Sequence, residues 1–326
     1  MKKRALSGIQ PTGRLHLGNL IGAVENWVRL QEEYDCYFFI ADFHALTTSY
    51  ADTKTLKEDI KQVAIDLLSA GLDPEKCTLF KQSDVPEHAE LHLIFSMITP
   101  LPWLERVPTY KSKIEELKEK DLGTYGFLGY PVLQAADILV YKANMVPVGE
   151  DQLPHLELTR EIARRFNYLY KEVFPLPRDA LTEFPVLPGT DGRKMSKSYQ
   201  NTIAISDTPA AIKKKVSIMV TDPARVKRED KGHPNICPVY AYYNVFAKDR
   251  SDPVAKECRE AERGCVECKK ELAQILIDYL APLHARREKF EKDPQLLEKI
   301  LEEGAKKARK FASQTLREVK QAVGLL

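Results

Sequence analysis

Between Ala5 and Asn167 short apolar, strand-like runs alternate with longer helical stretches, and this alternation narrows the possible folds more than any other feature of the chain. Ala5–Ile9, Cys36–Ala41 (CYFFIA), Thr78–Lys81 and Val146–Val148 read as buried strands, whereas Thr53–Ala70 and Gly149–Asn167 carry apolar residues at helical spacing. Strands that alternate with helices pair in parallel, because a parallel neighbour is reached only through a long crossover. The expected fold class is therefore α/β: a doubly wound parallel sheet of Rossmann type, with ligands collecting beyond the carboxyl ends of its strands. Residues 86–126 break the rhythm and read as a connecting insertion. From about Ile203 the strand signal fades into helices rich in Lys, Arg and Glu. The expected organisation is an α/β domain over 1–188, a loop over 189–202 and a C-terminal α-helical domain over 203–326.

Two short motifs fall where such a sheet would gather ligands. The first, HLGN at His16–Asn19, follows the opening strand through Pro11 and Gly13 into a helix expected to begin at Gly18. A helix start offers free N–H groups and a positive dipole end, and a glycine lets phosphate approach the main chain. His16 and Asn19 can donate hydrogen bonds to an α-phosphate as charge builds during in-line attack. The second, KMSKS at Lys194–Ser198, sits in a loop behind Gly189 and Gly192. Its lysines supply point charges for a departing pyrophosphate, and a loop can close after ATP binds. Together the motifs suit activation of a carboxylate by ATP.

A third constellation lies on one helix. In YPVLQAADILVY, Tyr130, Gln134, Asp137 and Tyr141 recur at helical spacing and share a polar face in an otherwise apolar segment. A carboxylate between Ala135, Ala136, Ile138 and Leu139 is costly to bury without a partner, so Asp137 either faces solvent or reads a ligand. Gly149-Glu150-Asp151-Gln152 combines a turn with acceptors suited to ribose hydroxyls, and equally suits a helix start, where acidic side chains are favoured.

Composition limits the alternatives. The 326 residues suit about two domains, and no apolar run approaches the roughly 20 residues needed to span a bilayer. The amino terminus, MKKRALSGIQ, lacks an apolar signal region, so a cytoplasmic location and no membrane partner are expected. A net charge of +2 confines any nucleic-acid surface to local patches, such as Lys213–Lys215 with Arg225, Lys227 and Arg228, or Lys306, Lys307, Arg309 and Lys310. Cys36 and Cys77 read as core residues. Cys237, Cys258, Cys265 and Cys268 form a C-x20-C-x6-C-x2-C array, a credible soft-metal site whose spacing leaves Zn2+ and an iron–sulfur cluster both open.

SGIQPTGRLHLGN from Ser7, ADFHALTT from Ala41, YPVLQAADIL from Tyr130, VPVGEDQ from Val146, HLELTREIARRFN from His155 and KMSKS resemble the class I aminoacyl-tRNA synthetases, and among them the bacterial tryptophanyl-tRNA synthetases. The resemblance covers most of the chain. It implies a homodimer that activates L-tryptophan with ATP and Mg2+ and transfers it to the 3′ end of tRNA(Trp). The insertion would help form the dimer and touch the tRNA acceptor end, and the helical half would bind the anticodon.

By the same resemblance ATP is held by Gln10, Pro11, Thr12, His16, Gly18 and Asn19, by Gly149, Glu150, Asp151 and Val186, and by Lys194, Met195, Ser196, Lys197 and Ser198. Of these, His16, Asn19, Lys194 and Lys197 would be catalytic. Asp137 matches the acceptor of the indole N–H; Tyr130 and Gln152 match residues holding the amino and carboxylate groups. Gln134 stands where the family commonly has methionine, and His44 lines the same pocket unless it is structural. A similar cysteine pattern occurs in a subset of the family carrying a 4Fe-4S cluster, which makes the cluster the first expectation and Zn2+ the second. The tyrosyl-specific sister enzymes and a non-catalytic RNA-binding paralogue remain as alternatives; the stretch around Asp137 and HLELTREIARRFN favours tryptophan.

Overall fold

The computed structural model describes residues 2–108, 110, 121–181 and 187–326. Its sheet contains, among the described residues, the five strands β1 (Arg4–Ile9), β2 (Asp35–Ile40), β3 (Cys77–Lys81), β4 (Met145–Val148) and β5 (Arg178–Leu181). All pair in parallel, in the order β3-β2-β1-β4-β5. The order reverses at β1, which has β2 on one side and β4 on the other, and the crevice beyond such a reversal is where ligands bind in open α/β sheets. β5 has no counterpart in the sequence reading: its RDAL segment is short and polar at a sheet edge, so no apolar run announces it.

Both faces of the sheet are covered, which is why β2 is apolar from Cys36 to Ile40. Cys36, Phe38 and Ile40 enter one core, and Tyr37 and Phe39 enter the other. The first core holds α1 (Leu17–Asn19), which continues through a π-type stretch at Leu20–Val24 into α2 (Glu25–Glu33), and α4 (Leu56–Ala70). α3 (Asp42–Ser49) follows β2 directly. The second core holds α5 (Glu87–Ile98), α7 (Tyr125–Val140) and α8 (Leu153–Leu169), with α6 (Leu101–Glu105) between the first two. The helix expected from Gly149 starts later, at Leu153, because Glu150–Gln152 forms a 3-10 turn first.

Past residue 203 the chain is helical: α9 (Pro209–Ser217), α10 (Pro238–Phe246), α11 (Lys248–Arg259), α12 (Cys265–Lys292) and α13 (Pro294–Ala322). The first core runs without interruption into this half through Ile203, Ile212, Tyr242, Leu276 and Leu283. α13 returns to pack on β3, so closely at Gly304 that a Cβ there would stand 1.8 Å from the Leu79 carbonyl oxygen. Among the described residues no helix is long and apolar enough to cross a membrane.

Candidate active site

Two cavities open beyond the carboxyl ends of β1 and β4, and Gln10 lines both. The larger, about 600 Å³, is bounded by Gln10, Pro11, Thr12, His16 and Asn19 on one side and Met195, Ser196 and Lys197 on the other. The sequence reading placed all of these in one nucleotide site, and the fold brings them together. It also adds a wall that sequence reasoning missed, from Thr48 and Ser49 to Asp52, Thr55 and Asp59, where polar side chains at the α3–α4 junction carried no motif.

The local structure of the first motif is a reciprocal cap. His16 is the N-cap of α1: its Nδ1 accepts the Asn19 N–H at 3.2 Å while Asn19 Oδ1 accepts the His16 N–H at 3.1 Å. The helix therefore begins at Leu17, not at Gly18 as expected. An Nδ1 that accepts places the imidazole proton on Nε2, leaving an N–H donor. Burial, reinforced by the positive charge of Lys197, lowers the His16 pKa to about 4, so the ring is neutral at pH 7. Gly18 has a local reason: a Cβ there would come within 3.0 Å of the His16 ring. Lys197 donates to the Gly13 carbonyl at 2.9 Å and the Thr12 hydroxyl at 3.3 Å. Burial lowers its pKa to about 8, against the opposing pull of Asp59 and Asp66.

The smaller cavity, about 240 Å³, is lined by Gly8, Phe39, His44, Gln134, Asp137, Gly149 and Gln152, among others. Asp137 is 1% exposed, so the polar face of α7 turns inward and the solvent-facing alternative fails. Its Oδ1 accepts from Gln82 Nε2 at 2.8 Å and from His88 Nδ1 at 2.6 Å, and its Oδ2 accepts from His44 Nε2 at 2.7 Å. His88 Nε2 in turn accepts from the Tyr141 hydroxyl at 2.8 Å. Burial alone would raise the Asp137 pKa, but the His44 and His88 rings overcome it and hold the carboxyl well below the usual range. A carboxylate offers roughly four acceptor positions, so one remains for a donor in the cavity. His88 and Gln82 were not assigned from sequence, and Tyr141 was read only as a member of the polar face; His88 and Gln82 lie about β3 and α5, far from Asp137 in the chain, and only packing joins them.

Other expected residues are placed differently. Tyr130 is buried, with its hydroxyl 2.9 Å from His155 Nε2, and does not line the smaller cavity. Gly149 lines the smaller cavity rather than the larger, and Glu150 and Asp151 sit on the exposed 3-10 turn beside it. Lys194 points outward while its carbonyl accepts from Asn201 Nδ2 at 3.1 Å. Ser198 follows in the 3-10 turn Lys197–Tyr199, and Val186 lies outside the described residues.

Cys237, Cys258, Cys265 and Cys268 share the wall of one cavity with Arg225 and Arg263, although among the described residues no three His, Cys, Asp or Glu side chains converge closely enough to hold a single metal ion. Arg225 Nη1 lies 3.7 Å from Cys258 Sγ, and Arg263 is paired with Glu257 and Glu271. The Nε atoms of both arginines are buried with no hydrogen-bond partner among the described residues. Burial raises the Cys258 thiol and pushes Cys268 up to about 11. A Cβ at Gly232 would stand 2.4 Å from Cys258 Sγ, so the glycine leaves room for the sulfur.

A neutral donor at a capped helix start, a cationic loop across from it and an adjoining pocket with a buried anion suit a nucleotide-dependent enzyme that acts on a small molecule. Comparison with known proteins gives the family. The model of the class I tRNA synthetases for tryptophan and tyrosine (W and Y) matches residues 2–281. A tryptophan–tRNA ligase of Thermotoga maritima is 53% identical over 99% of both chains, and one of Ralstonia nicotianae is 45% identical over 99% of this chain and 98% of its own. The crystal structure of tryptophanyl-tRNA synthetase from Campylobacter jejuni, complexed with ADP and tryptophan, superposes with a TM-score of 0.89 at 37% identity, covering 98% of this chain and 99% of the other. The chain belongs to the class I tRNA synthetases, and within them to the bacterial tryptophanyl branch.

Proposed function

We propose that the smaller cavity reads the indole of tryptophan through Asp137 and that the larger one holds ATP, within the reaction of a tryptophan–tRNA ligase. The enzyme activates L-tryptophan with ATP and transfers it to tRNA. The observation that carries the assignment is Asp137: a buried, ionised acceptor with its other positions satisfied by His44, His88 and Gln82, facing a cavity that adjoins the phosphate site at Gln10. A site built on one hydrogen bond rejects analogues lacking the donor, because its own polar group is then left unpaired.

In the first step a tryptophan carboxylate oxygen attacks the α-phosphorus of ATP, the α–β bridge breaks and pyrophosphate leaves. ATP enters as its Mg2+ complex, the ion travelling with the substrate. His16 Nε2–H and the Asn19 amide donate to the α-phosphate, Lys197 follows the pyrophosphate, and Lys194 joins it once the loop moves inward. Gln152 meets the amino or carboxylate group, and Tyr130 supports that end through His155. In the second step a hydroxyl of the terminal adenosine attacks the carbonyl carbon and AMP leaves. No protein nucleophile is required; positioning and fixed dipoles supply the rate.

The helical half, residues 203–326, is assigned to the tRNA anticodon. Lys213, Lys269 and Lys270 line one groove between α9 and α12, whereas Lys215 is paired with Asp207 at 2.6 Å and is less available for phosphate. Exposed Leu93 and Met97, a turn apart on α5, with Leu101 of α6, support a homodimer through the insertion. The four cysteines are assigned to a 4Fe-4S cluster, for which Cys237, Cys258, Cys265 and Cys268 would supply thiolates. Support comes from the donor set and from Arg225 and Arg263: half-open guanidinium hydrogen-bonding beside neutral thiols is compensated when the sulfurs carry charge. When bound, the cluster would brace the helical half.

The test of the substrate assignment is ATP–pyrophosphate exchange driven by each amino acid in turn. Exchange with tryptophan is expected, and exchange with tyrosine in its place would overturn the reading of Asp137. For the cluster, anaerobically purified protein should contain iron and acid-labile sulfide; zinc without either would overturn it.

A further inference from the structure

We infer that α12 fixes the ATP-binding turn through both backbone polar groups of one residue, Leu15, and that Arg287 and His284 are thereby positioning residues for adenylate formation. Leu15 is buried immediately before the N-cap His16. Its N–H donates to Asp66 Oδ2 at 2.8 Å, and Asp66 Oδ1 is paired with the Arg287 guanidinium. Its carbonyl accepts the Ile205 N–H at 3.0 Å, and the Ile205 carbonyl accepts from His284 Nε2 at 2.8 Å. Residues 284 and 287 are a turn apart on one face of α12, so a single helix face reaches the N–H and the carbonyl of the same residue, each through one intermediary. Neither side chain lines the ATP cavity.

The surrounding contacts make the linkage rigid. Arg287 Nε is held by Glu291 at 2.8 Å and its other arm by Gln62, while the Leu17 N–H donates to the Ile203 carbonyl at 3.0 Å. Asp66 and Arg287 are both buried, so the pair resists displacement: freeing either charge would leave the other uncompensated. The direction of the His16 Nε2–H is set by the cap, and the cap is set by where Leu15 is held. α12 also carries Cys265 and Cys268 at its start, about 40 Å of helix from its far end. One helix, with Pro282 inside it, thus reaches from the cysteine cavity to the ATP turn, and a tilt of its segment beyond Pro282 moves the His16 donor.

This inference rests on the assignment of the turn to ATP, and the experiment separates the two. His284→Phe, His284→Gln, Arg287→Lys and His16→Ala are compared in ATP–pyrophosphate exchange, with tryptophan affinity from equilibrium dialysis and melting temperature for each. His284→Phe and Arg287→Lys should change KM or kcat for ATP by about fivefold or more, the worth of a hydrogen bond, with tryptophan affinity within about twofold of the parent. His284→Gln, which retains a donor near the Nε2 position, should restore ATP kinetics. ATP kinetics within about twofold of the parent in folded His284→Phe and Arg287→Lys would overturn the inference, as would a parallel loss of tryptophan affinity. Should His16→Ala leave ATP kinetics intact, the assignment of the turn falls and the inference with it; an impaired His16→Ala beside normal α12 variants rejects the inference alone.

Discussion

Asp137→Asn changes almost nothing in volume and removes the charge that the smaller cavity is built around. In the parent the carboxylate accepts from Gln82, His88 and His44 and keeps one position for a ligand donor. An asparagine oxygen offers roughly two acceptor positions and its NH2 opposes one of the incoming donors. One histidine can switch tautomer, but the position facing the cavity is lost. A hydrogen bond to a charged group contributes about 1.5–3 kcal/mol, so kcat/KM for tryptophan should fall by roughly 10- to 150-fold. The decisive assay compares tryptophan with 3-benzothienylalanine, in which sulfur replaces the indole N–H. The parent should prefer tryptophan by about 100-fold or more, since the analogue leaves the cavity-facing position of a buried carboxylate without a donor. Asp137→Asn should shrink that preference to within about tenfold, mostly through the loss with tryptophan. A folded variant that keeps the parent's preference would refute the reasoning, because the discrimination would then come from cavity shape and not from the acceptor.

The pH dependence of kcat/KM for ATP should be flat from above about 4, where His16 becomes neutral, to about 8, where Lys197 loses its charge, and Lys197→Arg should abolish the alkaline fall; an alkaline limb unmoved by that substitution would exclude Lys197. The depressed Lys197 pKa also has a stability consequence: between about 8 and 10.5 only the unfolded chain binds that proton, so the native state gains stability as pH rises through this window, which denaturant titrations with Lys197→Met as reference would detect. Gly304→Ala should cost about 3 kcal/mol, since the new Cβ meets the Leu79 carbonyl of β3 and α13 must shift as a body, and chemical denaturation gives the value. Arg225→Met should lower the iron retained by anaerobically purified protein while tryptophan-dependent exchange persists; unchanged iron content would remove the guanidinium from the cysteine site.

The α/β class and the two loops facing each other were legible in the sequence because they depend on local chemistry. Period-two burial within a continuous apolar run, crossover helices, and glycines flanking basic loops all leave their mark within a few residues of chain. The polar row on α7 was legible too, as a face. What the face meets was not: periodicity fixes which side chains share a direction and says nothing of what lies opposite. Whether Asp137 met water or a pocket of donors was decided when His44 from α3, Gln82 after β3 and His88 from α5 converged on it across 93, 55 and 49 residues of sequence. β5 stayed hidden because an edge strand needs no apolar run, and the His16–Asn19 cap because HLGN could equally have begun a helix at its glycine. The link from α12 to Leu15 spans more than 200 residues and passes through a backbone carbonyl, a group that every residue carries and no sequence pattern distinguishes. The sequence by itself determined most of the elements, their parallel pairing and the motif side chains; the tertiary structure decided which of those side chains are buried, ionised and aimed, and which others join them, because burial and partnership are properties of the space between elements.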